Sequence, residues 1–382
     1  MLPTPWSWGV ALACLVLLPQ AHAVVTFDWA TVANPGNAPD TQVMFTDFSS
    51  GYGPVGYTYQ ISRHEVTNAQ YTEFLNAAAA DDPYSLYNPE MGAGGFAGRF
   101  GGILRSGSPG SYTYTVKSGY ADLPVVYVSW NDAARFVNWL HNGQGTAGTE
   151  NGVYDMSLPA PSRAADATFV IPNENEWYKA AYYDPDLDGS PGYWDYATGT
   201  DSVPYSDDPA ALNFPANSAN YHNFDGNANN GYNDGYALPE SAGALTPVGG
   251  YFESLSAYGT FDQSGNVREW NESFIYSGRG LRGGMWLGGA DFISAAYRDF
   301  DNPVDESALD GFRVALVFPG DLDGDGDADL DDYELFAGCM SGSNVTVPPP
   351  GCDPAEFEAA DLNEDSDVDL QDFELWEIAF PG

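Results

Sequence analysis

Cysteine is nearly missing from this sequence. Of three cysteines in 382 residues, Cys14 sits in an N-terminal apolar run and Cys339 and Cys352 lie near the C-terminus, so residues 24–338 hold none. That excludes a cysteine nucleophile or a thiolate metal centre from most of the chain. Basic residues are scarce too: 12 Lys and Arg against 54 Asp and Glu give a formal net charge of −42. Such a surface repels nucleic acid and anionic membranes and points to cations as partners. Histidine is thin, and His64, His141 and His222 show no i, i+4 pairing, so each reads as a loop or helix-surface residue. No HExxH, GxSxG or P-loop pattern occurs. The glycine-rich stretch 92–102 follows no apolar strand and reads as a loop, not a nucleotide cradle. Regular strand–helix alternation is also lacking, which excludes a doubly wound sheet.

What is present suits a large core plus a small appendage: 43% of residues are apolar and 15% aromatic. Residues 1–23 read as a secretory signal, with an apolar run from Val10 to Leu18 and a small-x-small end at Ala21-His22-Ala23, cleaved before Val24. The run is too short to span a bilayer, so no membrane span is expected after cleavage. The expected location is secreted or cell-surface, where Cys339 and Cys352 form a disulfide. Closing that loop contributes roughly 3 kcal/mol in the chain-entropy model.

Three helix starts carry a capping residue with an acid or amide three positions on: Thr67 with Gln70, Ser129 with Asp132, Asn173 with Glu176. Apolar residues at helical spacing follow each one, among them Tyr71, Phe74 and Leu75, then Phe136, Val137 and Leu140, then Trp177, Ala180 and Ala181. The runs "LPVVYVSW" (123–130) and "GFRVALVF" (311–318) read as strands. Residues 184–250 are rich in Gly, Asn, Pro and Asp, a loop long enough to require function or bound ions. The fold class is α+β. Composition changes at Pro319-Gly320: residues 321–382 carry 19 acids and no Lys or Arg. The expected organisation is a signal at 1–23, one domain at 24–318 and a second at 319–382.

The tail repeats itself. "DLDGDGDADLDDYELF" from Asp321 aligns with "DLNEDSDVDLQDFELW" from Asp361 at an offset of 40 residues. Asp321, Asp323, Asp325, Asp329 and Asp332 fall at loop positions 1, 3, 5, 9 and 12, with Gly326 at the turn and Asp327 offering its carbonyl at position 7. Asp361, Asn363, Asp365, Asp369 and Asp372 repeat the pattern, with Asp367 at position 7 and Ser366 in place of the glycine. Hard oxygens at alternating positions before a helix suit Ca²⁺, and Asp instead of Glu at position 12 suggests an affinity in the ~10⁻⁴ to 10⁻³ M range. Seven carboxylates in the first twelve-residue loop repel one another until an ion compensates them, so folding is expected to need calcium. The tail resembles the dockerin family, which implies a small all-α module with two calcium loops and a cohesin-like or other extracellular protein as partner for residues 319–382.

In the large part, "EVTNAQYTEFL" (65–75), "PVVYVSWNDAARFVNWL" (124–140), "IPNENEWYKAA" (171–181), "DQSGNVREW" (262–270), "LRGGMW" (281–286) and "GFRVAL" (311–316) fall in one order. Together they resemble the formylglycine-generating enzyme, or sulfatase-modifying factor, family over residues 40–318. The resemblance implies a loop-rich fold related to C-type lectins and two structural calcium sites. One is expected at the side chains of Asp262 and Glu269 with the carbonyls of Gly265 and Val267. The other is expected at Asn220 and Asp234 with the carbonyls of Tyr221 and Tyr236. "DQSGNVRE" supports the first independently, since two acids bracket a tight Gly-Asn turn, with pairing of Glu269 to Arg268 or Arg282 as the alternative.

That family binds copper through two cysteines after a "GGS" motif. Here the stretch reads "GGMWLGGADFISAAYR", with Met285 at the serine position and Gly288 and the Phe292-Ile293 region at the cysteine positions. Copper(I) needs soft ligands, so formylglycine generation is not expected. Iron-dependent relatives in the superfamily draw histidines from a partner domain, and the mature chain's histidines are isolated. Lectin-like relatives use the same region to bind partners, which nominates Trp286, Asp291, Phe292, Tyr297, Arg298, Asp299 and Asn302 as a surface for a glycan or protein ligand within residues 281–313. Taken singly, Trp286, Phe292 and Tyr297 serve equally well as core. The expectation is a secreted, calcium-stabilised, non-catalytic ligand-binding or scaffold protein, with an oxidoreductase using other metal ligands as the alternative.

Overall fold

The computed structural model describes residues 24–379 except 95–98, 146–147, 165–166, 207–208, 210–214, 224–244, 319, 323–327, 329 and 363–364. The signal segment lies outside the described residues. No helix among the described residues is long and apolar enough to cross a membrane.

The helices are α1 (Asn68–Ala78), α2 (Trp130–His141), α3 (Glu174–Tyr182), α4 (Leu330–Cys339), α5 (Pro354–Ala360) and α6 (Leu370–Ala379). All three capping boxes form: Thr67, Ser129 and Asn173 each accept from the backbone three residues on, and Gln70, Asp132 and Glu176 reach back to the cap. These reciprocal bonds satisfy donors that a helix start leaves open. The strands are β1 (Trp29–Val32), β2 (Tyr59–Ser62), β3 (Ile103–Ser106), β4 (Thr113–Val116), β5 (Phe169–Val170), β6 (Tyr183–Asp184), β7 (Gly192–Tyr193), β8 (Arg268–Ile275), β9 (Gly278–Arg282), β10 (Asp299–Asp301), β11 (Asp310–Gly311) and β12 (Ala315–Leu316).

One four-stranded sheet runs β1-β2-β12-β5 and another runs β10-β9-β8-β11. The fold is α+β, as expected. Late β12 inserts between β2 and β5, pairing Ala315 with both Ile61 and Val170, so the chain end locks the beginning. Between helices and sheets lies an aromatic core in which Phe136 meets Phe74 and Phe312, each at 5.4 Å between ring centres. The indoles of Trp130 and Trp270 donate to Asn271 O and Val128 O, which fixes the β8–β9 hairpin to the start of α2. Residues 283–298, the connection from β9 to β10, are thereby held at one edge of the second sheet.

One strand expectation is corrected. Residues 123–129 are buried but make only an isolated bridge, Thr67 to Pro124. Val125 N donates to Val66 O and Tyr127 N to Ser307 O, and Tyr127 sits at φ 61, so donors go to separate loops and no ladder can propagate. The 311–318 run becomes two short pieces, β11 and β12. In the tail, Phe336, Phe357, Val368 and Trp376 bury a small core among α4, α5 and α6, and Cys339 and Cys352 are bonded with Cα atoms 5.0 Å apart.

Candidate functional site

The β9–β10 loop begins at Arg282, and one glutamate holds both of its ends. Arg282 Nε and Nη2 lie 2.8 and 2.7 Å from Glu174 Oε1, while Arg298 Nε and Nη2 donate to Glu174 Oε1 and Oε2 at 2.9 and 2.5 Å. Arg298 also pairs with Asp47 at 2.6 Å, and Arg282 Nη1 donates to the Ala295 and Tyr297 carbonyls. The Tyr52 ring covers both guanidiniums at 4.9 and 4.8 Å. Glu174 sits in the first turn of α3, where the helix dipole favours a negative charge. Two cations against two carboxylates balance the buried charge, which is the condition under which such a network is tolerated.

Within this clamp the cysteine positions are filled by other groups. A Cβ on Gly288 would lie 2.9 Å from Phe292 Cβ and 3.1 Å from Met285 Sδ, so thioether and ring already occupy that space. Ile293 is fully buried and offers no donor atom. A two-thiolate copper site does not fit these residues. His222, 66 positions earlier in the chain, donates its backbone N–H to Gly288 O at 2.8 Å. Nothing in its local sequence announces that neighbour.

The proposed ligand surface divides. Asp291, Phe292 and Asn302 are exposed. Trp286 is buried, stacked on Phe100 at 4.9 Å, with its indole donating to Ala308 O, and Arg298 is buried in its ion pairs. Tyr297 donates to Asp299 Oδ2, and Asp299 pairs with Arg268 at 2.6 Å. Trp286, Arg298, Tyr297 and Asp299 are therefore structural, because their polar atoms are spent inside the fold.

The 262–269 turn is also corrected. Glu269 is fully buried, and its two oxygens accept from Arg313 Nε and Nη2 at 2.5 and 2.8 Å and from Trp177 Nε1 at 2.7 Å. A guanidinium stands where calcium was expected, and the partner is Arg313, not Arg268 or Arg282. Gly265, at φ 107, has no room for a side chain, since a Cβ would lie 2.3 Å from Asn220 O. Val267 is buried beside it. Asp262 accepts from Gly249 N at 2.6 Å, and burial raises its carboxyl to about 6. Glu65, unnoticed in the sequence, accepts from Asn266 Nδ2 through one oxygen while Oε2 is buried without a partner. Burial, then the charges of Asp262 and Glu269, push its carboxyl well up. A small cavity lined by Thr198, Ser218, Tyr251, Ser254 and Ser264 opens beside Asp262, not over Gly288. Of the second expected calcium site, Asn220 donates to Asn266 Oδ1 and Tyr221 O accepts from Ser206 Oγ. Asp234 and Tyr236 lie outside the described residues.

In the tail, Asp323, Asp325, Asp327, Asp329 and Asn363 lie outside the described residues. Asp321 and Asp332 are buried, and Asp332 Oδ1 accepts from Leu322 N at 2.6 Å. Asp361 accepts from Asp365 N and Ser366 N, and Ser366 takes φ 76, a left-handed conformation that glycine adopts most readily. Carboxylate oxygens of Asp367, Asp369 and Asp372 lie within 4.8 Å of one another. Asp367 was expected to contribute its carbonyl. Its side chain also turns in, with Oδ2 accepting from Asn344 N and Oδ1 buried without a partner.

Residues 55–317 match the model of the sulfatase-modifying factor enzyme 1-like domain. The chain belongs to this family. The match ends before α4 and so leaves the tail outside it. The chain is also similar to the hercynine oxygenase of Mycolicibacterium smegmatis (strain ATCC 700084 / mc(2)155), 25% identical over 282 residues, covering 68% of this chain and 53% of that one. It thus spans about half the length of that relative. Among solved structures it is similar to Treponema denticola variable protein 1, at 21% identity and TM-score 0.44 over 78% of this chain and 97% of that one. It is likewise similar to CarF, at 20% identity and TM-score 0.44 over 77% and 99%. The expectation of a non-catalytic binding or scaffold protein is overturned by these findings, because the matched family is named for an enzyme and the curated relative is an oxygenase.

Proposed function

We propose that this sulfatase-modifying-factor domain is an oxidoreductase acting at the 284–298 loop without the cysteine pair. The observation that carries this reading is the buried clamp of Glu174, Arg282 and Arg298. It fixes both ends of that loop and leaves Leu287, Phe292 and Asp291 exposed around Gly288. A site that orients a substrate needs rigid support beneath it, and the two buried arginines supply that support here. Oxidation by O₂ also needs a redox centre. Among the described residues no group of three His, Cys, Asp or Glu gathers at this loop, so the reading requires metal ligands from outside them or from a second protein. The test is oxygen uptake by residues 24–382 with iron(II) or copper(I) supplied in turn, a cysteine-containing peptide as substrate, and mass spectrometry of the peptide. Oxidised peptide that disappears in Glu174→Gln supports the reading. No uptake with either metal refutes a site complete within this chain.

A second observation favours a metal role for the tail. Asp367 Oδ1, buried beside Asp369 and Asp372 with no donor to accept from, is the arrangement a bound cation resolves. We infer a dockerin-like calcium module on an exported chain, docking to an extracellular partner through residues 319–382. Calcium titration by calorimetry should show binding that weakens at least tenfold in Asp367→Asn. Unchanged binding in that variant would remove this assignment.

A further inference from the structure

Residues 302–309 join β10 to β11 and cross the start of α2, where Asn131 N donates to Pro303 O at 3.1 Å and Tyr127 N to Ser307 O at 2.8 Å. The same segment holds the Trp286 indole through Ala308 O at 3.3 Å. Inside it, half-buried Glu306 accepts from Asn88 Nδ2 at 2.5 Å and hydrogen-bonds the carboxyl of Asp132. Asp132 is only 3% exposed. Two carboxylates in contact at such a place repel, and the contact becomes attractive only when one carries a proton.

We propose that Glu306 and Asp132 share one proton, and that this proton latches residues 302–309 against α2 beside Trp286. Burial raises the Asp132 carboxyl as well, but it is the one of the two that keeps the charge, because Ser129 donates to it twice, at 2.9 and 2.6 Å, and Arg135 stands near on the same helix. Glu306 holds the proton. Burial first, then the charge of Asp132, raise its carboxyl to about 7. From the other elements packed here, Asp82 adds negative charge but is tied to Arg105 at 3.2 Å, Arg135 spends its guanidinium on Glu150 at 2.6 Å, and Asn88 and Tyr71 are neutral. The sign follows from a folded value above the ordinary 4.5. The latch is firmest below that ordinary value, weakens as pH climbs toward about 7, and beyond it two charges oppose closure.

Amide hydrogen exchange on the full chain at pH 5 and pH 8, corrected for the intrinsic rate, tests this, with β8 and β9 as the internal reference. Protection of residues 302–309 should fall roughly tenfold or more at the higher pH, a tenfold factor being one unit of linked titration. Glu306→Gln, whose amide donates to Asp132 at any pH, should keep its protection at both, and Glu306→Ala should lose it at both. Equal wild-type protection at the two pH values, or a Gln variant that opens in parallel with the wild type, would overturn the latch. Neither readout depends on any enzymatic activity.

Discussion

The large domain and the tail solve the same electrostatic problem in opposite ways. All 12 basic residues lie between Arg63 and Arg313, and much of the large domain's buried negative charge is met by them: Glu269 by Arg313, Glu174 by Arg282 and Arg298, Glu176 and half-buried Glu272 by Arg163, Asp310 by Arg268, while buried Glu65 and Asp132 are held by hydrogen bonds from Asn266 and Ser129 instead. The tail has 19 acids and no such residue, yet Asp332, Asp367 and Asp372 are buried there. The large domain carries its counter-charge in its own sequence. On the calcium reading proposed above, the tail takes it from solution.

The comparison can be broken where the large domain depends on a single cation. Arg313→Met leaves Glu269 charged, buried and unpaired, and should cost about 3–5 kcal/mol in urea unfolding. Adding Glu269→Gln should return part of that loss. Removing the loop clamp with Arg298→Met should cost about 3 kcal/mol, at the low end because Arg282 still serves Glu174, and should abolish oxygen uptake. Gly265→Ala, forcing a Cβ toward Asn220 O at φ 107, should cost about 1–3 kcal/mol by the same measurement. A pH effect is smaller. With its folded value raised from 3.8 to about 6, Asp262 makes the large domain less stable as pH rises through that window, so Asp262→Asn should lose less of its urea midpoint between pH 4 and pH 7 than the wild type does. Phe292→Ala, on an exposed ring, should change stability by less than about 0.5 kcal/mol while lowering uptake.

What was legible in the sequence was local. The capping boxes at Thr67, Ser129 and Asn173 were readable because both halves lie within four residues. The tail repeats were readable because their register recurs at a fixed offset. Long-range pairing was not: Arg313 reaches Glu269 across 44 residues, and several arginines had an equal claim on it from spacing alone. Residues 123–129 misled because a buried apolar run looks the same whether its N–H groups enter a ladder or, as at Val125 and Tyr127, go to loops. Trp286, Tyr297, Arg298 and Asp299 were nominated for a binding surface because lectin-like relatives bind partners through this region, and only the partners Phe100, Glu174 and Arg268 reveal their structural use. Glu65 had no local signal beyond its place just before a helix cap.

The most direct test of this contrast is calorimetric unfolding of the full chain with its disulfide intact, in excess calcium and then in excess chelator. Two transitions are expected, with the tail's lost or moved far down by the chelator and the large domain's unmoved. A large-domain transition that falls with the tail's would mean that its arginines do not suffice and that it, too, borrows its counter-charge from bound ions.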